Sequence, residues 1–65
     1  MTSTDAVFKF IKSFTAKNGY PPTRDEISEH MGWASSNAAH YHITKLVKDG
    51  RISVSRNLSR GIMIL

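Results

Sequence analysis

Apolar residues recur in the first part of the chain at steps of three and four, the spacing of one face of a helix. This stripe consists of Val7, Phe10, Ile11 and Phe14. It predicts a first helix over about residues 5–17, with Thr4 as its N-cap. Gly19 and the pair Pro21-Pro22 are expected to end the helix, because glycine takes the left-handed conformation and proline cannot continue the hydrogen bonding.

A second, shorter helix is predicted over residues 24–31. Thr23 and Glu26 have the spacing of a capping box, in which each side chain accepts a hydrogen bond from the other residue's backbone N–H. A segment of this length is unstable alone and forms only by packing on its neighbours. We expect the ring of Trp33, just after the helix, to lie between this helix and the next.

The third predicted helix, over residues 36–48, has an apolar face and a polar face. Its apolar face carries Ala39, Ile43, Leu46 and Val47. Its polar face carries Asn37, His40, Tyr41, Thr44 and Lys48. An ordinary surface helix has mostly Glu, Lys and Gln at such positions, so this set of hydrogen-bonding side chains indicates contacts with a ligand.

The end of the chain is rich in β-branched residues, which predicts a two-stranded antiparallel hairpin over residues 51–55 and 61–65. The inward-facing residues are expected to be Ile52, Val54, Ile62 and Ile64. Asn57 suits the turn between the strands, because it tolerates a left-handed conformation. Residues 1–65 are therefore expected to form one α+β, mostly helical domain, in which three helices and a hairpin make a winged helix-turn-helix.

Basic residues are concentrated in the second half of the chain. Residues 1–30 have equal numbers of basic and acidic side chains, so residues 31–65 carry the whole formal net charge of +4. The basic residues of this half are Lys45, Lys48, Arg51, Arg56 and Arg60. This asymmetry favours a polyanionic partner such as nucleic acid, with a solubilising surface as the alternative.

The sequence lacks the marks of an enzyme, a metalloprotein or a membrane protein. It contains no cysteine and no signal-peptide pattern, and its longest apolar run, residues 62–65, is far too short to span a bilayer. It has no nucleophile–base pairing and no glycine-rich phosphate loop, and His40 and His42 diverge on their helix. We therefore expect no catalysis, no cofactor, no metal and no membrane contact, and a cytoplasmic, nucleoid-associated location.

Five motifs follow one another along the chain: Gly19-Tyr20-Pro21-Pro22-Thr23-Arg24, Gly32-Trp33, Asn37-Ala38-Ala39, Gly50-Arg51-Ile52 and Ser59-Arg60-Gly61-Ile62. In this order they resemble the N-terminal DNA-binding domain of LexA, the bacterial SOS repressor, over essentially the whole chain. The resemblance implies that the third helix enters the major groove of DNA and that the wing contacts the backbone or the minor groove. LexA carries its self-cleaving Ser/Lys dyad in a further domain, so the resemblance implies no protease activity for this chain.

Together with the polar face, the resemblance implies two sets of candidate residues. Those that read bases are Ser35, Asn37, Ala38, His40, Tyr41 and Thr44. Those that contact phosphates or belong to the wing are Ser36, Lys45, Lys48, Arg51, Arg56, Ser59 and Arg60. His40 and Tyr41 stand where LexA has acidic base-reading residues, so the resemblance implies a different operator sequence.

The expected function is sequence-specific binding of double-stranded DNA by a small transcriptional regulator, such as a repressor, of phage, prophage or plasmid origin. A second copy on an adjacent half-site would raise the affinity of so small a domain. The alternative is a protein-interaction module, such as an antirepressor or an inhibitor of a host protein, that uses the winged-helix surface. The basic second half argues against a version of this alternative that mimics DNA.

Overall fold

The computed structural model describes residues 3–55 and 60–65, which form three helices followed by a two-stranded sheet. The elements are α1 (Ser3–Asn18), α2 (Arg24–Met31), α3 (Ser36–Lys48), β1 (Ile52–Val54) and β2 (Ile62–Ile64). The predicted fold class, a mostly helical winged helix-turn-helix, is confirmed by this order of elements.

The N-terminus of α1 differs from the prediction, because Thr4 lies inside the first turn and is not the cap. Its side chain is buried, and its hydroxyl forms a hydrogen bond of 2.8 Å with Nδ1 of His42 on α3. The capping prediction was wrong because a partner from another helix, invisible in the local sequence, engages this hydroxyl. At the other end, Gly19 takes the left-handed conformation (φ 79°) and its N–H donates to the carbonyl of Thr15.

The predicted capping box at the start of α2 is confirmed. The backbone N–H of Glu26 donates to Thr23 Oγ1 at 3.1 Å, and the backbone N–H of Thr23 donates to Glu26 Oε1 at 2.8 Å. At the far end of α2, buried Ser28 holds the turn: its carbonyl accepts from the N–H of Trp33, and its hydroxyl donates to the carbonyl of Ser35. These bonds determine where α3 starts relative to α2.

The core lies where α1, α2, α3 and the sheet meet. It consists of Val7, Ile11, Ile27, Ala39, Ile43, Leu46, Ile52 and Ile62. Phe8, Phe10, Met31, Trp33 and Ile64 pack against it while partly exposed. Trp33 is partly buried beside α3, where its ring stacks on that of His42 with 5.1 Å between the ring centres.

Two valines expected in the core are instead exposed, Val47 by 42% and Val54 by 38%. Val47 lies at the edge of the apolar face, a rotation of about 100° past buried Leu46. Val54 is the last residue of β1, where the strand leaves the helices and leads into the wing. Val54 does lie on the inward face of the hairpin, opposite buried Ile62, but both valines are less covered than predicted. Alternation and helical periodicity do not show where an apolar face stops being covered.

The sheet is an antiparallel hairpin with Ile52 opposite Ile64 and Val54 opposite Ile62. Pairing continues beyond the strands, since the N–H of Ser55 donates to the carbonyl of Gly61 and the N–H of Leu65 to that of Arg51. Leu65 therefore lies beside Arg51, just after α3. The predicted turn at Asn57, together with Arg56, Leu58 and Ser59, lies outside the described residues.

Candidate nucleic-acid interface

The structure assembles the α3 polar face, which consists of Asn37, His40, Tyr41, Thr44 and Lys48. All five side chains are exposed, and together with Lys45 and Asp49 they line one open depression. The apolar residues Ala39, Ile43 and Leu46 on the other side of the helix are buried. The polar face therefore points outward because the core holds the opposite side. Sequence periodicity identified this face but did not include Asp49, whose carboxylate sits at its end.

The exposed side chains of this face offer different hydrogen-bonding groups. The hydroxyl of Thr44 donates to the carbonyl of His40 at 2.9 Å, so its oxygen lone pairs and its methyl group remain for a ligand. Tyr41 is 61% exposed, and its ring packs edge-on against His42, which limits its rotation. Asn37 is exposed and carries both a donor and an acceptor.

The start of α3 leaves polar groups available to a ligand. Ser35 occupies the N-cap position with extended backbone angles, yet its side chain makes no capping hydrogen bond. Ser36 lines a second depression with Thr23, Arg24 and Asp25. The first N–H groups of a helix lack intrahelical partners and favour anions. Ala38, also predicted to approach DNA, is partly buried in this first turn.

Arg24, at the start of α2, joins the α3 polar face through His40. Its Nη1 lies 3.1 Å from Nδ1 of His40. No sequence pattern indicated this contact, because the two residues are on different helices and share no motif spacing. The contact links the second depression to the first, so the basic and polar surface continues from α3 onto α2.

Arg60, at the entry to β2, is anchored to α2 and to the loop before it. Its Nη1 and Nη2 donate to the two carboxylate oxygens of Glu26 at 2.6 and 3.1 Å, and Nη1 also donates to the carbonyl of Pro21. The guanidinium carbon lies 4.7 Å from the centre of the Tyr20 ring, a cation–π distance. The predicted wing residue therefore fastens the base of the wing to α2.

This ion pair shifts the pKa of both partners. The hydrogen bond from Arg60, followed by that from the Thr23 backbone, lowers the pKa of the Glu26 carboxyl from its usual 4.5. The same bond raises the pKa of Arg60. Glu26 thus belongs to two structures at once, the capping box of α2 and the anchor of the wing, although the sequence indicated only the first.

We expect the stability contributed by ionised Glu26 to be lost in acid. Its folded-state pKa is lowered, so the contribution is present above the unfolded value near 4.5 and disappears as the pH falls through the folded value. Urea unfolding from pH 7 to pH 3 measures the free energy of unfolding of the protein and of Glu26→Gln. The difference between the two free energies should shrink as the pH falls. Glu29→Gln, on the same helix, is the control for losing one exposed carboxylate. If the free energy of unfolding of Glu26→Gln differed from that of the parent chain by the same amount at every pH, the expectation would be contradicted.

The remaining candidate cations divide between two places. Lys48 belongs to the α3 polar face and Lys45 borders it, whereas Arg51 lies beside α1, where its Nη1 is 3.0 Å from Asp5 Oδ1. The structure therefore does not bring Arg51 to the α3 polar face. Arg56 and Ser59 lie outside the described residues.

Within the described ranges, no three His, Cys, Asp or Glu side chains cluster as metal ligands, and no helix is long and apolar enough to cross a bilayer.

Comparison with known proteins identifies one family, which matches almost the entire chain. The LexA DNA-binding domain model matches residues 2–61. The chain is 42% identical over 59 residues to the LexA repressor of Desulfatibacillum aliphaticivorans, 43% over 60 residues to that of Cellvibrio japonicus, and 45% over 58 residues to that of Pseudomonas chlororaphis. These matches cover 91%, 92% and 89% of this chain but only 29%, 30% and 29% of the relatives, so the chain spans less than a third of their length.

Proposed function

The chain belongs to the LexA DNA-binding domain family, and we propose that it binds double-stranded DNA sequence-specifically and regulates transcription as a repressor. The observation that carries the proposal is the α3 polar face, whose hydrogen-bonding side chains are exposed beside Lys45. An α-helix fits the major groove of B-DNA, where each base pair displays a distinct set of donors and acceptors. In this proposal α3 enters that groove and the wing follows the backbone or the minor groove.

The base-reading set proposed is the one expected from the sequence. Asn37 suits a bidentate contact with adenine, and Thr44 offers its methyl group to a thymine methyl. Tyr41 and His40 extend the contact along the groove, while Ser35 keeps its hydroxyl uncommitted at the start of α3. Ala38 lies in the same first turn, where it allows the helix to approach the bases closely.

Phosphates are held, in this proposal, by two lysines of α3 and by backbone N–H groups at its start. Lys48 belongs to the α3 polar face and Lys45 lies beside it, and the N–H groups near Ser36 lie at the start of the helix. The contacts of Arg60 with Glu26 and Pro21 engage three of its five N–H donors within the described residues, which leaves donors for a phosphate. Arg56 and Ser59 complete the proposed wing contact. Arg51 joins this set only where a phosphate competes with Asp5.

Two copies on adjacent half-sites are proposed for tight binding, because a domain of this size buries a small interface with DNA. A phage, prophage or plasmid origin is part of the same proposal, and the genes beside the coding sequence test it directly.

Selection of duplexes from a random DNA pool tests the proposal. We expect one enriched motif, and with about four or five phosphates contacted its affinity should fall with salt at a log–log slope of about −4. Tyr41→Ala should weaken the enriched motif more than random duplex, whereas Lys17→Ala at the end of α1 should leave both unchanged. Failure to enrich any motif at low salt would contradict sequence-specific binding.

The alternative, a protein-interaction module, receives less support from the structure. One surface considered for it is the Phe8 side of α1. The Phe8 ring is partly buried and has Lys12 Nζ at 5.4 Å and the Arg51 guanidinium at 5.5 Å from its centre. Two cations beside this ring leave little apolar surface for a host protein. A protein that co-purifies with the chain when no DNA motif is enriched would favour the alternative.

A further inference from the structure

The contact between Arg24 and His40 determines which imidazole nitrogen carries the proton. Arg24 Nη1 lies 3.1 Å from His40 Nδ1, within hydrogen-bond distance. A guanidinium has N–H donors and no acceptor, so Nδ1 must be the acceptor. The proton of the neutral ring is therefore on Nε2. The opposite tautomer would place two N–H donors against each other, and an imidazolium would add a second positive charge at the same distance.

In this contact the imidazole ring has a defined orientation. His40 is exposed on α3, and Arg24 approaches it from the start of α2, on the side of Nδ1. Nε2 is on the far side of the ring from Arg24, so its N–H is directed away from this pair. Around His40 lie Asn37, Tyr41 and Thr44, which also belong to the α3 polar face. The side chain accordingly presents one N–H donor on the surface that the proposed function directs into the major groove.

We propose that Arg24 is a positioning residue for base recognition, which fixes His40 as a single N–H donor to a base acceptor. This inference rests on the proposed function. In the major groove, guanine displays two acceptors, N7 and O6, with no donor beside them, whereas cytosine displays the donor N4–H₂. A lone donor is therefore satisfied by guanine and rejected by cytosine on the contacted strand, and the discrimination between these two bases is what the pair is proposed to supply. An acidic side chain at this position would accept a hydrogen bond and make the reverse choice.

The first part of the test uses the DNA-free full chain, so it does not depend on DNA binding. Long-range ¹H–¹⁵N NMR of the histidine rings distinguishes a protonated from an unprotonated ring nitrogen. We expect His40 to be the Nε2–H tautomer in the protein and in Lys17→Ala, the charge-matched control. Arg24→Ala should give a mixture of tautomers, and Arg24→Lys, which retains a charged donor, should restore part of the Nε2–H population.

The second part uses the duplex enriched by selection. We expect one guanine whose preference over cytosine disappears in His40→Ala and falls about fivefold in Arg24→Ala, the value of one hydrogen bond. At that position, 7-deazaguanine removes the N7 acceptor and 2-aminopurine removes O6. One of the two should weaken the binding of the unmodified protein by a similar factor and leave His40→Ala unaffected. Thermal unfolding of each variant separates these effects from a loss of folding.

The outcomes distinguish this inference from the function on which it rests. An Nδ1–H tautomer of His40, or a preference for cytosine at the position that His40→Ala affects, would overturn the role of Arg24 even if a motif is enriched. If no motif is enriched, the proposed function fails and the base contact fails with it, whatever tautomer the NMR spectrum shows.

Discussion

Replacing Leu46 by alanine is expected to leave much of the protein unfolded under conditions where the parent chain is folded. Leu46 is fully buried at the centre of the core. Truncation of such a side chain costs about 2–5 kcal/mol, because apolar contacts are lost and a cavity remains. The core of a domain this small rarely supplies more than about 3–5 kcal/mol in total. Urea unfolding followed by far-UV circular dichroism measures the loss.

The neighbouring residue provides a matched control. Val47→Ala removes apolar atoms from the same helix, but its side chain is 42% exposed, and the expected change in unfolding free energy is within about 0.5 kcal/mol. Equal losses in the two variants would mean that α3 packs in a different rotation. The pair therefore tests the orientation of the helix that presents the α3 polar face.

The second large effect is expected in DNA binding by the double variant Lys45→Ala, Lys48→Ala. Lys48 belongs to the α3 polar face, Lys45 borders it, and both are proposed to contact phosphates. Loss of two contacts should lower the magnitude of the log–log salt slope by about two and the affinity at 0.1 M salt by roughly 10- to 100-fold, because fewer counterions are released. Fluorescence anisotropy with the enriched duplex at several salt concentrations measures both quantities.

A charge-matched control lies on α1. Lys9→Ala, Lys17→Ala removes the same charge from a helix outside the proposed contact, and both side chains are exposed. Its salt slope should match that of the parent chain. If the two double variants lose affinity equally, DNA is attracted by net charge alone and α3 is not the contacting helix. The base preferences of the enriched motif should survive in both variants, since phosphate contacts carry little sequence information.

Local signals predicted the elements of this fold well. The apolar stripe of α1, the glycine at its end and the capping box of α2 each involve residues within one or two turns of one another, so a short window of sequence contains the whole interaction. The same holds for the α3 polar face, because helical spacing alone places its members on one side. Errors arose where the packing between elements decides the outcome: another helix contacts Thr4, and no other element fully covers Val47 or Val54.

The two missed contacts that bear most on the site join residues far apart in the chain. Arg24 contacts His40 across two helices, and Arg60 reaches back from the hairpin to Glu26. Taken alone, each residue of these pairs is explained by its local sequence: the arginines as solvated surface residues, and Glu26 as part of the capping box. No spacing rule couples them, since their approach follows from how the elements pack.

The sequence by itself determined that three helices and a hairpin form and that α3 has a polar face, because periodicity and capping are properties of neighbouring residues. The tertiary structure alone decided how that face is equipped. In the folded protein Arg24 contacts His40, and Arg60 is paired with Glu26. Arg51 is paired with Asp5 beside α1, away from the α3 polar face. Such choices depend on side chains that meet only after the core has closed, and hydrogen bonds of charged groups act over a few ångströms.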